Sequence, residues 1–293
     1  MKSNLFTITA LTNMHVGSGD VNFGVIDNLV QRDVVTNLPI INSSSLKGAI
    51  REFFESKEGE CSQIVKFIFG ASAKHKGQEN SESEKGSSAG NYKFLSANLL
   101  SIPIRSDKMP FFRATSPSII LEFLNMIEIL NIDIDSKLKD DLKNLSKLDG
   151  EALVFDEKLK NESDIYLEDF KAKYREFDIS KIKELLGDNL ALLSNENMKK
   201  HCKKLPVVAR NYLENGQSKN LWYEEIMPRE SKFYFFVSKP SNIYKGENND
   251  IKNIESFDNK FENIIKENIF QIGANGSIGY GFSKIENFSK AEQ

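Results

Sequence analysis

The order of strand-like and helix-like segments limits the fold of this chain more than any other feature. Residues 5–14 alternate apolar and polar side chains as a strand does, and residues 46–54 place apolar side chains on one side of a helix. Strand-like runs return at 92–104 and 231–237, and helical patterns follow Pro117 and cover 251–269. A doubly wound parallel sheet requires a steady alternation of strand and helix, which is missing here. The sequence therefore predicts an α+β fold.

Three segments stand apart from this pattern. Residues 71–91 contain almost no apolar side chain, so we predict a disordered loop there. Residues 131–200 are highly charged with a helical pattern, and we interpret them as an inserted helical subdomain. Asn215-Gly216 lies between two strand-like arms and is typical of a tight turn, which predicts a projecting β-hairpin over 205–226.

Charge and hydropathy limit the location and the partners of the chain. No run approaches the roughly 18 apolar residues of a membrane span, and the first residues lack the apolar core of a secretion signal, so we expect a cytoplasmic protein with no membrane partner. The net charge of −3 disfavours nucleic acid overall. The charges are unevenly distributed, however, because 198–213 holds five Lys and Arg without an acid whereas 151–169 holds seven acids. One face can therefore be basic.

The predicted helix after Ser43-Ser44-Ser45 carries two cations near its N-terminus. Lys47 and Arg51 lie four residues apart and thus share one face of that helix. The free backbone amides and the dipole at a helix N-terminus already favour an anion. This arrangement predicts a phosphate-binding surface.

Several motifs together resemble one family. The segments 15–19 (His-Val-Gly-Ser-Gly), 25–33 and 38–51 resemble the N-terminal signature of the fourth subunit of the Cmr complex, a type III-B CRISPR effector, within the repeat-associated mysterious protein (RAMP) superfamily. Segments 102–106, 114–117, 206–210 and 221–225 and the glycine-rich stretch 271–282 agree with it. The common order and spacing of these short motifs make the resemblance specific, whereas 131–198 matches only in character.

The resemblance implies a fold and an assembly. It implies a single RAMP domain over 1–293, with a ferredoxin-like, RNA-recognition-type palm and a thumb formed by the hairpin. In such complexes copies of the subunit stack along guide (CRISPR) RNA together with other Cmr subunits. The implied activity is cleavage of the complementary target RNA at regular intervals.

The resemblance also implies catalytic residues. Asp27 matches the family's cleavage aspartate, and His15 and Glu224 match further positions linked to activity. RNA carries its own nucleophile, the 2′-hydroxyl, so the protein need only place a linkage in line and assist the movement of protons and charge. A divalent ion, Mg²⁺ or Mn²⁺, could be held by Asp27 and phosphate oxygens, since magnesium often uses one or two carboxylates.

The predicted RNA-binding residues extend over several segments. Lys47 and Arg51 match family positions that contact guide RNA. Bare backbone in the glycine-rich stretch can approach a phosphate closely. The full predicted set is Arg32, Lys47, Arg51, Arg210, Gly273, Asn275 and Gly279.

Three alternative functions remain open at this stage. The chain could be a scaffold that coats guide RNA while another subunit cuts. It could instead be the equivalent backbone subunit of a type III-A complex. A RAMP enzyme that processes guide precursors is the third alternative, but such enzymes often use a histidine in or near the first helix, and 44–57 contains none.

Overall fold

The computed structural model describes residues 2–19, 24–60, 62–71, 88–240 and 250–289. Within these residues the helices are α1 (Ser43–Glu58), α2 (Gln63–Phe69), α3 (Pro117–Ile129), α4 (Ser136–Leu145), α5 (Ile182–Leu186), α6 (Asn195–Lys203) and α7 (Asp250–Glu267). The strands are β1 (Lys2–Ala10), β2 (Ile40–Ile41), β3 (Gly70–Ala71), β4 (Ser88–Ala89), β5 (Lys93–Phe94), β6 (Ala97–Ile104), β7 (Phe112–Thr115), β8 (Ala152–Val154), β9 (Ile165–Leu167), β10 (Phe170–Tyr174), β11 (Leu190–Leu193), β12 (Val207–Glu214), β13 (Gln217–Glu225), β14 (Lys232–Lys239), β15 (Ile269–Gln271) and β16 (Phe282–Asn287).

One large mixed sheet organises the described residues. Its strand order is β15-β16-β1-β14-β6-β7-β11-β8-β10-β9, with β2 paired to β6 and β5 to β14. Most neighbours are antiparallel, but β7 with β11 and β8 with β10 are parallel. The α+β prediction is therefore confirmed. No helix of the described residues is long and apolar enough to cross a membrane.

Both faces of the central strand β14 are covered. Every residue of β14 is buried, as expected for a strand between two layers rather than at a solvated surface. Phe233 and Phe235 belong to a core shared with α1, α2 and α7, whereas Tyr234 and Phe236 belong to a second core shared with α3, α4 and α5. The core thus lies in two halves on either side of the sheet.

The predicted hairpin is confirmed. Strands β12 and β13 form a two-stranded sheet of their own, in a register that runs from Val207–Glu225 to Glu214–Gln217, and an isolated bridge joins Glu224 of β13 to Asn28. Asn215 (φ 50°) and Gly216 (φ 77°) form its turn, and both have the positive φ that a type I′ turn requires. The outer part of the hairpin is exposed, whereas Glu224 and Glu225 at its base are buried.

The interpretation of 131–200 as a helical subdomain is wrong, because this segment also contains strands. Helices α4, α5 and α6 are present, but β8, β9, β10 and β11 lie between them and extend the main sheet. Short apolar runs such as Leu190–Leu193 form fully buried strands, and periodicity alone does not separate such a strand from a buried helix segment. Of the predicted disordered loop 71–91, residues 72–87 lie outside the described residues, and β4 pairs with β3.

Candidate active site and RNA-binding surface

Asp27 lies on a loop that the base of the hairpin holds in place. The backbone N–H groups of Asp27 and Asn28 both donate to the Tyr223 carbonyl at 3.1 Å. In return, the N–H of Tyr223 donates to Asp27 Oδ2 at 2.7 Å. The Asp27 side chain is exposed. The result is a solvent-accessible carboxylate oriented by a main-chain donor of β13.

Glu224 follows Tyr223 on β13 and is enclosed by hydrogen-bond donors. Its side chain is only 8% exposed. The donors are Trp222 Nε1 (2.9 Å) and Asn28 Nδ2 (3.5 Å) to Oε1, and Arg210 Nε (3.1 Å) and Asn275 Nδ2 (2.9 Å) to Oε2. Burial raises the pKa of Glu224, but the hydrogen bonds from Trp222, Arg210 and Asn275 outweigh it and lower the pKa. Glu224 is thus a fixed anion inside the protein.

Glu225 points to the opposite face of the hairpin, because successive side chains of a strand alternate. Its Oε1 lies 2.6 Å from Arg32 Nη2, and its Oε2 accepts the N–H of Val30 at 3.1 Å. Arg32 also donates to the carbonyls of Cys202 (2.9 Å) and Asn37 (3.2 Å). The guanidinium of Arg32 is therefore directed at protein acceptors, with 16% of its side chain exposed.

His15 is buried beside the hairpin base. Its Nδ1 lies 2.7 Å from the Glu225 carbonyl, and since a carbonyl only accepts, Nδ1 carries a proton. In the neutral ring Nε2 is then the acceptor. A Cβ at residue 17 would lie 3.1 Å from that nitrogen, so Gly17 leaves it room. With Nδ1 bonded to Glu225, Nε2 is the ring nitrogen left for another partner.

The glycine-rich stretch packs against the same place. Gly273 has φ 94°, and a Cβ there would lie 2.3 Å from the His15 carbonyl, so only glycine fits. Asn275 has φ 65° and donates to Glu224. Gly279 has φ 84° with open space around it, and the ring of Tyr280 lies 4.4 Å from the Arg210 guanidinium. We call the meeting point of His15, the 24–30 loop, Arg210, Tyr223–Glu225 and residues 273–280 the hairpin junction.

A second polar surface lies at the N-terminal turns of α1. Burial, followed by the like charges of Lys93 and Arg51, lowers the pKa of Lys47. A groove of about 320 Å³ lies beside it, lined by Ser43, Ser44, Lys47, Phe69, Ala89, Gly90, Tyr92, Lys93 and Phe94. Arg51 is paired with Glu55 at 2.6 Å. Lys47 and Lys93 are thus the cations of this groove.

Gln31 connects this groove to the hairpin junction. Its Nε2 donates to the carbonyl of Gly17 (3.1 Å) and to Ser45 Oγ (2.9 Å), and its Oε1 accepts the N–H of Asn42 (2.8 Å). The side chain is 7% exposed. The His15–Gly17 segment and the start of α1 are therefore held side by side.

Comparison with known proteins defines the family. A model of the RAMP superfamily matches residues 7–284. The chain belongs to the RAMP superfamily. Its curated relatives include the CRISPR system Cmr endoribonuclease Cmr4 of Pyrococcus furiosus, which is 25% identical over 97% of this chain and 95% of that protein.

Solved structures agree with this family assignment. The RAMP chain is similar to a chain of the type III-B Cmr-beta complex, with TM-scores of 0.76 in the apo state and 0.74 in the complex bound to cognate target RNA. The apo structure is 23% identical over 99% of this chain and 98% of that chain. The target-bound structure is 23% identical over 98% of this chain and 97% of that chain. It is also similar to oligomeric Cmr4 from Pyrococcus furiosus (TM-score 0.67, 23% identity, 98% of each chain). These likenesses establish a mixed α+β RAMP fold.

The RAMP chain brings most of the predicted site residues together. The hairpin junction contains His15, Asp27, Arg210, Glu224, Gly273, Asn275 and Gly279. Lys47 and Arg51 lie on the separate surface at α1. Arg32 faces Glu225 in the interior.

Sequence reasoning missed several residues that shape the site. Trp222, Gln31, Lys93, Tyr280 and Glu225 are not among the predicted site residues. Alternation along β13 could have shown that Glu224 and Glu225 face opposite ways. The contacts of Gln31 and Tyr280 join distant segments, for which the sequence carries no signal.

The described residues contain no group of three or more His, Cys, Asp or Glu that could hold a metal ion. Asp27 offers one exposed carboxylate, which fits a divalent ion only if phosphate oxygens and waters complete its shell. The donor set thus suits an ion that arrives with RNA.

Proposed function

We propose that this chain is the guide-RNA-binding backbone subunit of a type III-B CRISPR complex and cleaves complementary target RNA at regular intervals. The observation that carries the proposal is the exposed carboxylate of Asp27, tied to the hairpin base in a chain whose family match extends over 7–284. The Pyrococcus furiosus relative is named an endoribonuclease, and the Cmr-beta complex is known bound to cognate target RNA.

The proposed reaction uses the nucleophile of the RNA itself. The 2′-oxygen attacks the adjacent phosphorus and its proton passes to a base, while the bond to the 5′-oxygen of the next nucleotide breaks and that oxygen takes up a proton from water, so a 2′,3′-cyclic phosphate and a 5′-hydroxyl form. In-line placement of these three atoms supplies much of the acceleration. Asp27 is the group placed to accept the proton or to orient the linkage, because its carboxylate is exposed and held by Tyr223.

His15 is the second group proposed to assist. Its Nδ1–H bond to the Glu225 carbonyl leaves Nε2 as the acceptor, with Gly17 in front of it. This nitrogen could move a proton or contact a phosphate. A divalent ion, Mg²⁺ or Mn²⁺, would be held by Asp27 and phosphate oxygens, and it would neutralise charge that develops on the phosphate.

Guide RNA is proposed to follow the surface at α1. Lys47 and Lys93 lie beside one groove, near the start of α1, where backbone amides also favour phosphate. Arg51 extends this surface along α1, and Arg32, Arg210, Gly273, Asn275 and Gly279 stay predicted contacts. Exposed apolar side chains of the hairpin, such as Tyr212 and Leu213, suit a thumb that reaches into the RNA.

The assembly is part of the same proposal. Residues 1–293 form one RAMP domain with a ferredoxin-like palm, and copies stack along the guide with other Cmr subunits in the cytoplasm. Oligomers are known for the Pyrococcus furiosus relative. The type III-A equivalent and the non-catalytic scaffold are the alternatives.

Two measurements on one preparation test the function. The complex is purified from its host, co-purifying RNA is sequenced, and labelled complementary RNA is added with Mg²⁺. We expect guides with a uniform repeat-derived 5′ sequence, and target fragments separated by a constant interval. Bound target without fragments would establish a scaffold, and a non-complementary RNA serves as the control.

A further inference from the structure

Glu224 has no free acceptor position left for a reacting proton. A carboxylate offers about four lone-pair directions. Four side-chain donors approach Glu224, two at each oxygen, and only the bond from Asn28 is long at 3.5 Å. A general base must present a lone pair to the substrate. The sequence predicts Glu224 as a catalytic group, but its geometry argues against direct contact with RNA.

The same four donors come from different parts of the chain. Arg210 lies on β12, Trp222 on β13, Asn28 on the loop that carries Asp27, and Asn275 in the glycine-rich stretch. Glu224 therefore joins three segments that are distant in sequence. Removing the carboxylate would leave these donors without their acceptor in a buried place.

Tyr280 contacts two of the residues that donate to Glu224, Arg210 and Asn275. Its ring lies 4.4 Å from the Arg210 guanidinium, in the range of a cation–π contact. Its N–H donates to the carbonyl of Asn275 at 3.2 Å, and Asn275 in turn donates to Glu224. Arg210, Tyr280, Asn275 and Glu224 thus form a closed ring of contacts.

This ring of contacts lies next to Tyr223, the residue that holds Asp27. Tyr223 is adjacent to Glu224 and makes three hydrogen bonds to Asp27 and Asn28. A shift of Glu224 moves Tyr223 and with it the Asp27 carboxylate. Misplacing a reacting group by about 1 Å can cost on the order of 100-fold in rate.

We propose that Glu224 is a positioning residue, which together with Tyr280 holds the hairpin base against the glycine-rich stretch and so fixes the position of Asp27. We call these contacts of Glu224 and Tyr280 the lock. The inference rests on the proposed function for its catalytic meaning, although the lock itself is a property of the chain. Tyr280 is thereby assigned a role in the geometry of the site.

The first experiment measures the lock without using cleavage. Hydrogen exchange of the full chain is followed by mass spectrometry for wild type, Glu224→Ala, Tyr280→Leu and Tyr280→Phe. We expect faster exchange over 24–30 in Glu224→Ala and Tyr280→Leu, and wild-type exchange in Tyr280→Phe, because phenylalanine keeps the ring over Arg210. Unchanged exchange in all three variants, or equal effects of Tyr280→Leu and Tyr280→Phe, would overturn the lock.

The second experiment measures single-turnover cleavage against pH in the assembled complex. Glu224→Gln should lower the rate about 10-fold at every pH and keep the shape of the profile, and Tyr280→Leu should do the same while Tyr280→Phe stays near wild type. Loss of an inflection in the profile of Glu224→Gln would make Glu224 a base and overturn the proposal. If the wild-type complex cuts nothing, the proposed function fails, and the exchange data still decide whether Glu224 and Tyr280 hold Asp27.

Discussion

Three carboxylates lie at the hairpin junction, and their surroundings differ sharply. Asp27 is exposed and accepts a main-chain N–H, whereas Glu224 and Glu225 are buried and bonded to several donors. The donors around the two glutamates make them anchors of the hairpin. Among the three, Asp27 is the carboxylate exposed to solvent, and it is the one proposed to act on RNA. Burial and hydrogen bonding, rather than residue type, thus distinguish the proposed reacting group from the two buried glutamates.

Replacing Asp27 tests the exposed side of this comparison and should have the largest effect. Asp27→Asn keeps the size of the side chain but removes its charge and proton affinity, so cleavage by the assembled complex should fall about 100- to 10,000-fold. Target binding, measured by filter binding, should stay unchanged. Asp149→Asn, on an exposed site away from the junction, is the matched control. A full cleavage rate in Asp27→Asn would remove Asp27 from the mechanism.

Replacing Glu225 tests the buried side. Glu225→Ala leaves the guanidinium of Arg32 without its carboxylate in the interior, which should lower the free energy of unfolding by about 3 to 5 kcal/mol. Urea denaturation measures this change. The control is Glu55→Ala, which removes the more exposed Arg51 pair on one helix and should cost at most about 0.5 kcal/mol. Equal losses in both variants would contradict the distinction between anchors and surface charges.

Another carboxylate far from the junction extends the comparison to pH. The His201 ring, whose Nδ1 lies 3.4 Å from Glu168 Oε2, and the hydrogen bond and charge of Arg105 together outweigh burial and lower the pKa of Glu168 to about 2 from 4.5. Because the folded-state pKa is depressed, the ionised group stabilises the fold above about pH 4.5, and this contribution is lost as the pH falls towards 2. Glu168→Gln should therefore be less stable than wild type by about 1 to 3 kcal/mol at pH 7.

Measuring stability over a range of pH distinguishes the loss of the Glu168 charge from a general loss of stability. Urea midpoints of wild type and Glu168→Gln should converge as the pH approaches 2. A difference that stays constant from pH 7 to pH 3 would show that the charge of Glu168 is not the cause.

Substitutions in the outer part of the hairpin should have the smallest effect on stability. Tyr212 and Leu213 are 57% and 59% exposed, so Tyr212→Ser and Leu213→Ser should change the free energy of unfolding by no more than about 0.5 kcal/mol. Thermal denaturation of the free chain checks this. A loss above about 1 kcal/mol would mean that the outer hairpin packs on its own chain and does not serve outside contacts.

The sequence predicted the parts of the fold that depend on local signals. Asn215-Gly216 located the hairpin, Pro117 the start of α3, and the polar run before Leu46 the start of α1. The strands within 131–200 were missed, because Leu190–Leu193 is uniformly apolar and shows neither period. Which neighbours such a run meets is decided by the whole sheet.

In the candidate site, too, local motifs were predictive and contacts between distant segments were not. The family motifs pointed to His15, Asp27 and Glu224, and the structure places all three at one junction. The enclosure of Glu224 could not be read from the motifs, because Asn275, which donates to it, lies some 50 residues away in sequence. The different roles proposed for Asp27 and Glu224 rest on those distant contacts.

Graded mixing of subunits tests most directly whether the Asp27 carboxylate of each copy makes its own cut. Complexes are assembled from wild-type and Asp27→Asn chains in increasing ratio, and fragment yields and bound target are measured together. We expect the yield of every fragment to fall in proportion to the variant fraction while target binding stays constant. Fragment yields independent of the Asp27→Asn fraction would contradict the account.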